Sequence, residues 1–354
     1  MIKEKLSDVN GSFSYLLHTP PPQRLNVLLY TSIWLWYFIV RYLQKYNVEI
    51  SNVLLLRNYG DLHVAPTNKQ LLQYARSFVA KVTKIFVPIH FIYQIIYHTW
   101  DDESLSGLYY TVYHSLPLAQ FVVLVTLIIK ESTIIKYCSR RLLLIESKPR
   151  SMRNVYILLS DSLTSFNRPL IDFTLFSSLL FGKPFLNLDL FLSTIPSGVR
   201  IFQCIREYFI MNDTEHLFNA GKYSSNIPII ACTWYMRTHS DSEIPKSFYP
   251  IQIWLLLLNS AYTFFWDVRM DWTITSVITL RKSKLTFAPK VYHFAIVADF
   301  ILRFWWLWII FYTQNSASKF IFFSSELYYF EVIRRANWII FKLESEYVNR
   351  PIKS

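Results

Sequence analysis

The sequence is poor in several residue types, and each shortage argues against a class of protein. Among 354 residues there are six glycines, three cysteines and only 17% charged residues. A soluble chain carries about 25% charged residues, so a soluble protein of two domains is excluded. Cys138, Cys204 and Cys232 form neither a disulfide framework nor a zinc spacing. A Gly-rich phosphate loop is also missing, so we expect no ATP-driven chemistry, no cofactor and no metal.

Hydrophobic residues are abundant instead, at 53% of the chain. They come in blocks of about 20 residues, which is the helix length that crosses about 30 Å of hydrocarbon. The blocks predict an all-α polytopic membrane helix bundle of about nine transmembrane helices. The predicted spans are 26–46, 72–97, 107–129, 154–181, 189–210, 222–239, 249–267, 291–313 and 322–341. Residues 1–25 are polar, so no cleavable signal peptide is predicted and the first span is expected to act as an uncleaved anchor.

The positions of lysine and arginine predict the orientation in the membrane. The connections 130–153 and 268–290 are basic, whereas 98–106 contains neither lysine nor arginine. Because basic connections stay in the cytosol, nine spans place the N-terminus in the lumen and the C-terminus in the cytosol. A sequon at Asn10 is compatible with a lumenal tail, and the segment 139–150 is typical of a basic amphipathic stretch on the cytosolic surface. The net charge of +12 lies mostly in these connections, so we expect the lipid bilayer, and no nucleic acid, as a partner.

Ionisable residues inside the predicted spans are the main functional signal. A charge at the bilayer centre costs about 2.5–3.5 kcal/mol on insertion scales, and five of the last six spans contain such residues. Glu331 lies three and four residues before Arg334 and Arg335, so it can pair with one of them but cannot neutralise both. Asp299 and Arg303 are four residues apart, which is typical of a closed ion pair.

Each of these residues has a structural explanation when it is considered alone, such as snorkelling to the interface or a hydrogen bond to a neighbouring helix. Together they predict a polar cavity in the rear half of the bundle. Arginine suits an anion site because its planar fork binds carboxylate or phosphate bidentately and stays charged. The expected cavity has cations around an anion and carboxylates that orient them, namely Lys222, Arg303, Arg334 and Arg335 with Asp161, Asp267 and Asp271.

Five stretches, in this order and spacing, resemble the EXS family of phosphate exporters. They are RIFQCIREY (200–208), HLFNAGKYSS (216–225), WDVRMDW (266–272), DFILRFWW (299–306) and FEVIRRANWIIFKLESEYVN (330–349). With LLSDSLTS at 158–165, the resemblance covers about 155–350. It implies an EXS-type fold with an anion pathway through the last six helices and Trp306 as a gate. It implies substrate binding by Asp161, Thr164, Lys222, Tyr223, Asp267, Asp271, Arg303, Trp306, Arg334 and Arg335.

With only about 25 residues before its first span, the chain resembles the short Golgi branch of the family, which has no SPX sensor domain. The resemblance implies a homodimer in the Golgi membrane that returns inorganic phosphate from the lumen to the cytosol. This activity supports glycosylation and the retention of glycosyltransferases and ER residents. The implied division is a lumenal tail (1–25), front scaffold helices with the basic segment (26–153), an EXS transport domain (154–341) and a cytosolic tail (342–354).

Three positions depart from the family pattern. Asp189 stands where exporters have an arginine, and Thr164 replaces an asparagine. Glu207 replaces the second arginine of the QCLRR motif and is expected at the surface. The loss of one cation is expected to weaken anion binding or to change its selectivity.

Two other functions stay open at this point. One is a scaffold that transports nothing and whose C-terminal tail recruits a cytosolic sorting adaptor to capture glycosyltransferases. The other is a membrane acyltransferase, with His98 as a base and Asp102 beside it, although a single HxxxD spacing is frequent by chance and no partner motif follows. A charge reversal at Arg334 separates transport from scaffolding, because a scaffold should tolerate it if the protein folds.

Overall fold

The computed structural model describes residues 19–54, 66–99, 107–131, 153–178, 187–239, 245, 248–276, 278–281, 283–312 and 325–349. Over these residues the chain forms twelve α-helices and one π-helical turn, and its only β feature is an isolated bridge between Ser276 and Leu280. The predicted all-α fold is therefore confirmed. The sequon at Asn10, the segment 139–150 and the His98–Asp102 spacing fall outside the residues whose side chains are described.

The helices divide into a front and a rear group along the chain. The front group contains α1 (Pro21–Lys45), α2 (Ile50–Val53), α3 (Asn68–Thr99) and α4 (Gly107–Glu131). The rear group contains α5 (Arg153–Thr164), α6 (Asn167–Ser178), α7 (Leu188–Met211), α8 (Glu215–Ser224), α9 (Ile227–Thr238), α10 (Phe248–Trp266), α11 (Pro289–Tyr312) and α12 (Ser325–Val348). Helix α1 packs against α3, α4, α6 and α12, so it joins the two groups.

The distribution of side chains is that of a protein surrounded by lipid. Large apolar residues are exposed, including Phe91 and Phe294, which keep 66% and 74% of their surface. Charged residues are buried, including Asp299 at 0% and Arg334 at 3% exposure. In water this arrangement is unfavourable on both counts. In a bilayer the exposed apolar surface lies in hydrocarbon, and the charges face the bundle interior.

Three described helices are long and apolar enough to cross a membrane, at Asn68–Tyr97, Thr111–Glu131 and Pro289–Trp308. They correspond to the second, third and eighth predicted spans. The other described helices are shorter or contain more polar residues. The protein is thus a helical membrane protein, and the count of nine spans stays a prediction.

Two predicted spans are each divided into two helices, and a proline follows each break. The span 154–181 is interrupted at Ser165 and Phe166, and the span 222–239 belongs to α8 and α9 with a break at Ser225 and Asn226. A proline has no backbone N–H to donate and its ring crowds the carbonyl four residues earlier, so it fits best in the first helical turn. Pro169 and Pro228 both lie in the first turn of a new helix, α6 and α9.

A third irregularity follows α10. The π-helical turn Asp267–Asp271 begins directly after Trp266, and the backbone N–H of Trp272 donates to the carbonyl of Asp267 at 2.9 Å. Short π-turns inside helices are rare and occur frequently at functional sites. This turn brings the side chains of Asp267 and Asp271, both buried, toward the same neighbouring lysine.

The connection after the π-turn folds onto the end of α12. Arg281 pairs with Glu344, and the Tyr292 hydroxyl donates to Glu344 at 2.8 Å. Glu344 is fully buried and Arg281 is 7% exposed. Arg281 belongs to the basic connection 268–290, and its side chain is buried in an ion pair. A carboxylate at α12 supplies the partner that the local sequence does not contain.

Candidate functional site

Arg334 is the most heavily paired cation of the bundle interior. Its Nε and Nη2 atoms donate to the two carboxylate oxygens of Glu331, at 2.9 and 2.6 Å. Its Nη1 atom donates to Asp267 at 3.0 Å and to Asp299 at 3.3 Å. The predicted pairing of Glu331 with one of the two arginines is confirmed, and three carboxylates from three elements surround this single guanidinium.

Arg335, the next residue, has different surroundings. Its Nε and Nη2 atoms donate to the hydroxyls of Ser165 and Thr164, each at 3.2 Å, and its guanidinium lies 4.7 Å from the ring centroid of Trp338. Its Nη1 atom is buried and has no hydrogen-bond partner among the described residues. Within the described part of the chain no carboxylate lies within 4 Å of it. A buried guanidinium with one vacant donor and only neutral partners is a suitable anion ligand.

Asp299 and Arg303 belong to the same network and do not form an isolated pair. The Nε atom of Arg303 lies 3.3 Å from Asp299, and its Nη2 atom pairs with Asp267. Its Nη1 atom donates to the Thr263 hydroxyl at 2.5 Å. The expected i,i+4 pair is therefore present, but Asp299 also serves Arg334, and Asp267 is shared by both arginines.

Lys222 connects this network to a second group of charges. Its Nζ atom lies 3.8 Å from Asp267 and 3.9 Å from Asp271, and its side chain is only 5% exposed. It also lies over the rings of Tyr223 and Trp266, at 4.6 and 5.5 Å from their centroids. The two carboxylates of the π-turn thus share one loosely held lysine, and Asp271 also pairs with Lys342 at 3.1 Å.

The second group is centred on Asp161. Its Oδ1 atom lies 2.5 Å from the Nε atom of Arg200 and accepts a hydrogen bond from the Tyr223 hydroxyl. Arg200 also stacks over the Tyr223 ring at 4.9 Å and donates to Gln203 at 2.8 Å. All three are buried. This triad joins α5, α7 and α8.

Arg200 was not among the predicted site residues, although it is the first residue of the motif at 200–208. The available signal was Pro196, since a proline inside a membrane helix marks an irregular, protein-lined segment, and Arg200 lies one turn later. Its partner Asp161 is on another helix. Nothing local to α7 indicated that Arg200 points inward.

A cavity of about 170 Å³ opens beside these groups. It lies between the start of α5, the end of α7, the start of α8, the π-turn and the end of α12. Its polar lining includes Asp161, Arg200, Gln203, Glu207, Lys222, Asp271, Lys342 and Glu346. Under the predicted topology this end of the bundle faces the cytosol, and we refer to the cavity as the vestibule.

Nine of the ten predicted site residues form one contiguous cluster. Thr164 completes it, because its hydroxyl donates to the Asp161 carbonyl at 2.7 Å and accepts from Arg335. Trp306 is the exception, since it is buried in an apolar group with Phe166 and Leu327, and its indole donates to Ser260 at 3.0 Å. The structure brings the nine together, and their role in binding stays a prediction.

The departures from the family pattern have structural partners. Asp189 is buried and pairs with Arg237 at 2.5 Å. Glu207 was expected at the surface, but it is 9% exposed, lines the vestibule and accepts a hydrogen bond from the Tyr156 hydroxyl. Its burial corrects that expectation, because α7 turns this face toward α5.

Comparison with known proteins agrees with this architecture. The EXS family matches residues 19–348. Protein ERD1 of Saccharomyces cerevisiae is 46% identical over 354 residues, which cover 96% of this chain and 97% of that protein. Protein ERD1 of Kluyveromyces lactis is 28% identical over 385 residues, with the same two coverages.

A second group of relatives matches only part of the chain. Solute carrier family 53 member 1 of Mus pahari is 32% identical over 168 residues, which cover 44% of this chain and 24% of that protein. The described residues form helices, and charged side chains are buried inside the bundle. The family match extends over nearly the whole length of the chain. This chain belongs to the EXS family.

Proposed function

We propose that the protein transports inorganic phosphate across the Golgi membrane, from the lumen to the cytosol, without any covalent step. The observation that carries this proposal is the state of Arg335. Its guanidinium is buried, its partners are two hydroxyls and an indole ring, and its Nη1 atom has no partner among the described residues. An oxyanion is a partner that suits such a group, because charge-assisted hydrogen bonds to a guanidinium are strong.

The surroundings of Arg335 suit a transported oxyanion. The hydroxyls of Thr164 and Ser165 lie at the break between α5 and α6, so they can accept from or donate to a phosphate oxygen. Broken helices with free polar groups are tolerated at membrane depth only where they line a cavity or are covered by protein. In transporters such breaks form the substrate site.

A route leads from Arg335 toward the vestibule. Trp338, beneath the Arg335 guanidinium, donates to Asp271 at 3.1 Å, and Asp271 lines the vestibule. Asp161, Arg200 and Lys222 also line it. An anion that leaves Arg335 therefore meets Lys222 and Arg200 next, and their positive charges attract it toward the vestibule. The EXS relatives named as solute carriers support a transport role of this kind.

The experiment is phosphate flux in proteoliposomes that contain the purified protein. We expect uptake of labelled phosphate by the wild type and at least a tenfold loss in Arg335→Gln, which corresponds to about 1.4 kcal/mol or more. Arg335→Lys should recover only part of the flux, because lysine keeps the charge but loses the planar fork.

The control is Lys81→Gln, which removes one positive charge from α3. The Lys81 side chain is 47% exposed and pairs with Glu131, outside the charged cluster. Its flux should equal that of the wild type. Absence of flux in the wild type, or full flux in Arg335→Gln, contradicts the transport proposal. In that case the second candidate gains support, namely a scaffold that uses a cytosolic adaptor to retain glycosyltransferases and ER residents without moving phosphate.

A further inference from the structure

The charges of the cluster balance. Five basic side chains face five carboxylates among the described residues: Arg200, Lys222, Arg303, Arg334 and Arg335 against Asp161, Asp267, Asp271, Asp299 and Glu331. At the vestibule rim, Lys342 and Glu346 add one charge of each sign. Arg168, which interacts electrostatically with Glu331, and the buried Glu207 add one more of each. The empty site is therefore close to neutral.

The balance is not evenly distributed, because Arg335 is the one cation of these five with no carboxylate of the described residues within 4 Å. The five carboxylates all pair with the other four cations, and Asp271 pairs with Lys342 as well. Since the empty site is already close to neutral, a bound monoanion leaves one excess negative charge, which lies at the Arg335 guanidinium. A bound dianion leaves two, and its second charge meets a cation only if an existing ion pair opens. Opening a buried pair leaves a carboxylate uncompensated, which costs about 3–5 kcal/mol.

We infer that the site accepts phosphate as the monoanion H₂PO₄⁻ and rejects tetrahedral dianions, both HPO₄²⁻ and sulfate. This inference rests on the proposed phosphate transport and specifies the ionic form that moves. The monoanion also carries two O–H donors, whereas sulfate has none. The Thr164 and Ser165 hydroxyls and the Glu331 carboxylate, to which Ser165 donates at 3.1 Å, provide acceptors for these donors.

The first test is the pH dependence of flux in proteoliposomes with equal pH on both sides. At constant total phosphate, flux should fall from about pH 6 to about pH 8, the range in which phosphate, like histidine, changes its charge. Plotted against the concentration of H₂PO₄⁻, the rates should follow one saturation curve. Rates that instead follow total phosphate overturn the inference and leave phosphate transport intact.

The second test uses two competitors whose charge does not change with pH. Methyl sulfate is a tetrahedral monoanion and sulfate is the corresponding dianion. We expect methyl sulfate to inhibit phosphate flux and sulfate to inhibit at least tenfold less. Equal inhibition by the two contradicts the inference. This comparison separates the charge of the ligand from any titration of the protein itself.

The third test changes the charge of the site. Asp299→Asn removes one negative charge from the cluster and keeps the side-chain shape, and sulfate should then inhibit nearly as well as methyl sulfate. Glu331→Gln makes the same charge change at a side chain that is 35% exposed. This variant replaces Asp299→Asn in the test if Asp299→Asn does not fold. Sulfate exclusion that persists in a folded variant argues against charge balance as its cause. If the wild type moves no phosphate, the inference fails together with the proposed function.

Discussion

Arg334 and Arg335 are adjacent in the chain, but the structure gives their side chains different roles. Arg334 binds Glu331, Asp267 and Asp299, so its charge is used within the protein. Arg335 binds two hydroxyls and keeps one donor vacant. Successive residues on a helix point about 100° apart, as the 3.6-residue turn requires. Neighbouring arginines therefore face different helices, and of the two only Arg334 has carboxylates of the described residues within 4 Å.

This difference predicts opposite effects on stability and transport. Arg334→Gln leaves three carboxylates, of which Asp267 and Asp299 are buried, with one partner fewer, so we expect it to destabilise the fold by about 3–5 kcal/mol. Arg335→Gln loses hydrogen bonds to two hydroxyls and should cost only about 1–2 kcal/mol. Thermal unfolding of the two purified variants in the same detergent measures this order. Equal destabilisation by both variants argues against separate roles.

The Asp161–Arg200 pair is the second case at this scale. Arg200→Gln leaves Asp161 buried with the Tyr223 hydroxyl but without its guanidinium, and we expect a loss of about 3–5 kcal/mol. Adding Asp161→Asn removes the uncompensated charge, so the double variant should be more stable than Arg200→Gln alone. A double-mutant cycle on unfolding free energies measures the coupling. Additive effects would show that the two side chains do not interact.

At the scale of elements, three interruptions of regular helix surround the same charges. The α5–α6 break supplies Thr164 and Ser165, α8 ends two residues after Lys222, and the π-turn supplies Asp267 and Asp271. Pro169 and Pro228 follow the first two, each in the first turn of the next helix. Each break frees backbone and side-chain polar groups that a continuous apolar helix does not offer. The interruptions therefore provide the polar surface that an ion needs inside a membrane.

The connection between the π-turn and α11 contains one buried ion pair to α12, between Arg281 and Glu344. Glu344→Gln removes the charge that holds Arg281, so this connection should detach from α12 more often. Trypsin should then cleave after the exposed Lys284 several times faster than in the wild type. Time courses of limited proteolysis in detergent, followed by mass spectrometry, measure the rate.

Glu346→Gln is the matched control for this variant. Glu346 lies on the same helix two residues later, keeps 37% of its side chain exposed and pairs with Lys342. Exposed pairs contribute about 0–1 kcal/mol, so its cleavage rate should match the wild type. Faster cleavage in both variants would indicate fraying of the end of α12 and not release of the connection.

For the whole molecule, exposed aromatic and aliphatic side chains around a buried charged cluster indicate a membrane protein whose rear helices enclose a polar interior. The vestibule joins the start of α5, the end of α7, the start of α8 and the end of α12. In the predicted nine-span arrangement all these points lie on the cytosolic side. The predicted alternation of spans puts these helix ends on the same side of the membrane. In the structure they lie together around the vestibule.

The predicted orientation is tested by tags at the two ends of the chain. A tag after Ser354 should be digested by protease added to sealed membrane vesicles, because the positive connections predict that end in the cytosol. A tag before Met1 should be protected until detergent is added. A lumenal tag on a single-span protein of known orientation controls for vesicle integrity. Digestion or protection of both tags together is incompatible with an odd number of spans.

The sequence by itself determined the fold class and most members of the buried charged cluster. Blocks of apolar residues require a helical membrane protein, because an unpaired backbone is not tolerated in hydrocarbon. Charges inside those blocks are costly to keep, so Asp161, Lys222, Asp267 and the arginine pair stood out without any structure. The pairing of Glu331 with Arg334 followed as well, since i,i+3 contacts depend only on helix geometry.

Only the tertiary structure decided which charges meet across the bundle. Asp267 and Arg334 are 67 residues apart, and Asp161 and Arg200 lie on different helices. The vacancy at Arg335, the inward position of Arg200 and the burial of Arg281 all depend on such contacts. A periodic pattern shows which face of a helix is polar, but not which helix packs against it. Long-range packing therefore determined the partner of each charge, and with it the one arginine left for an anion.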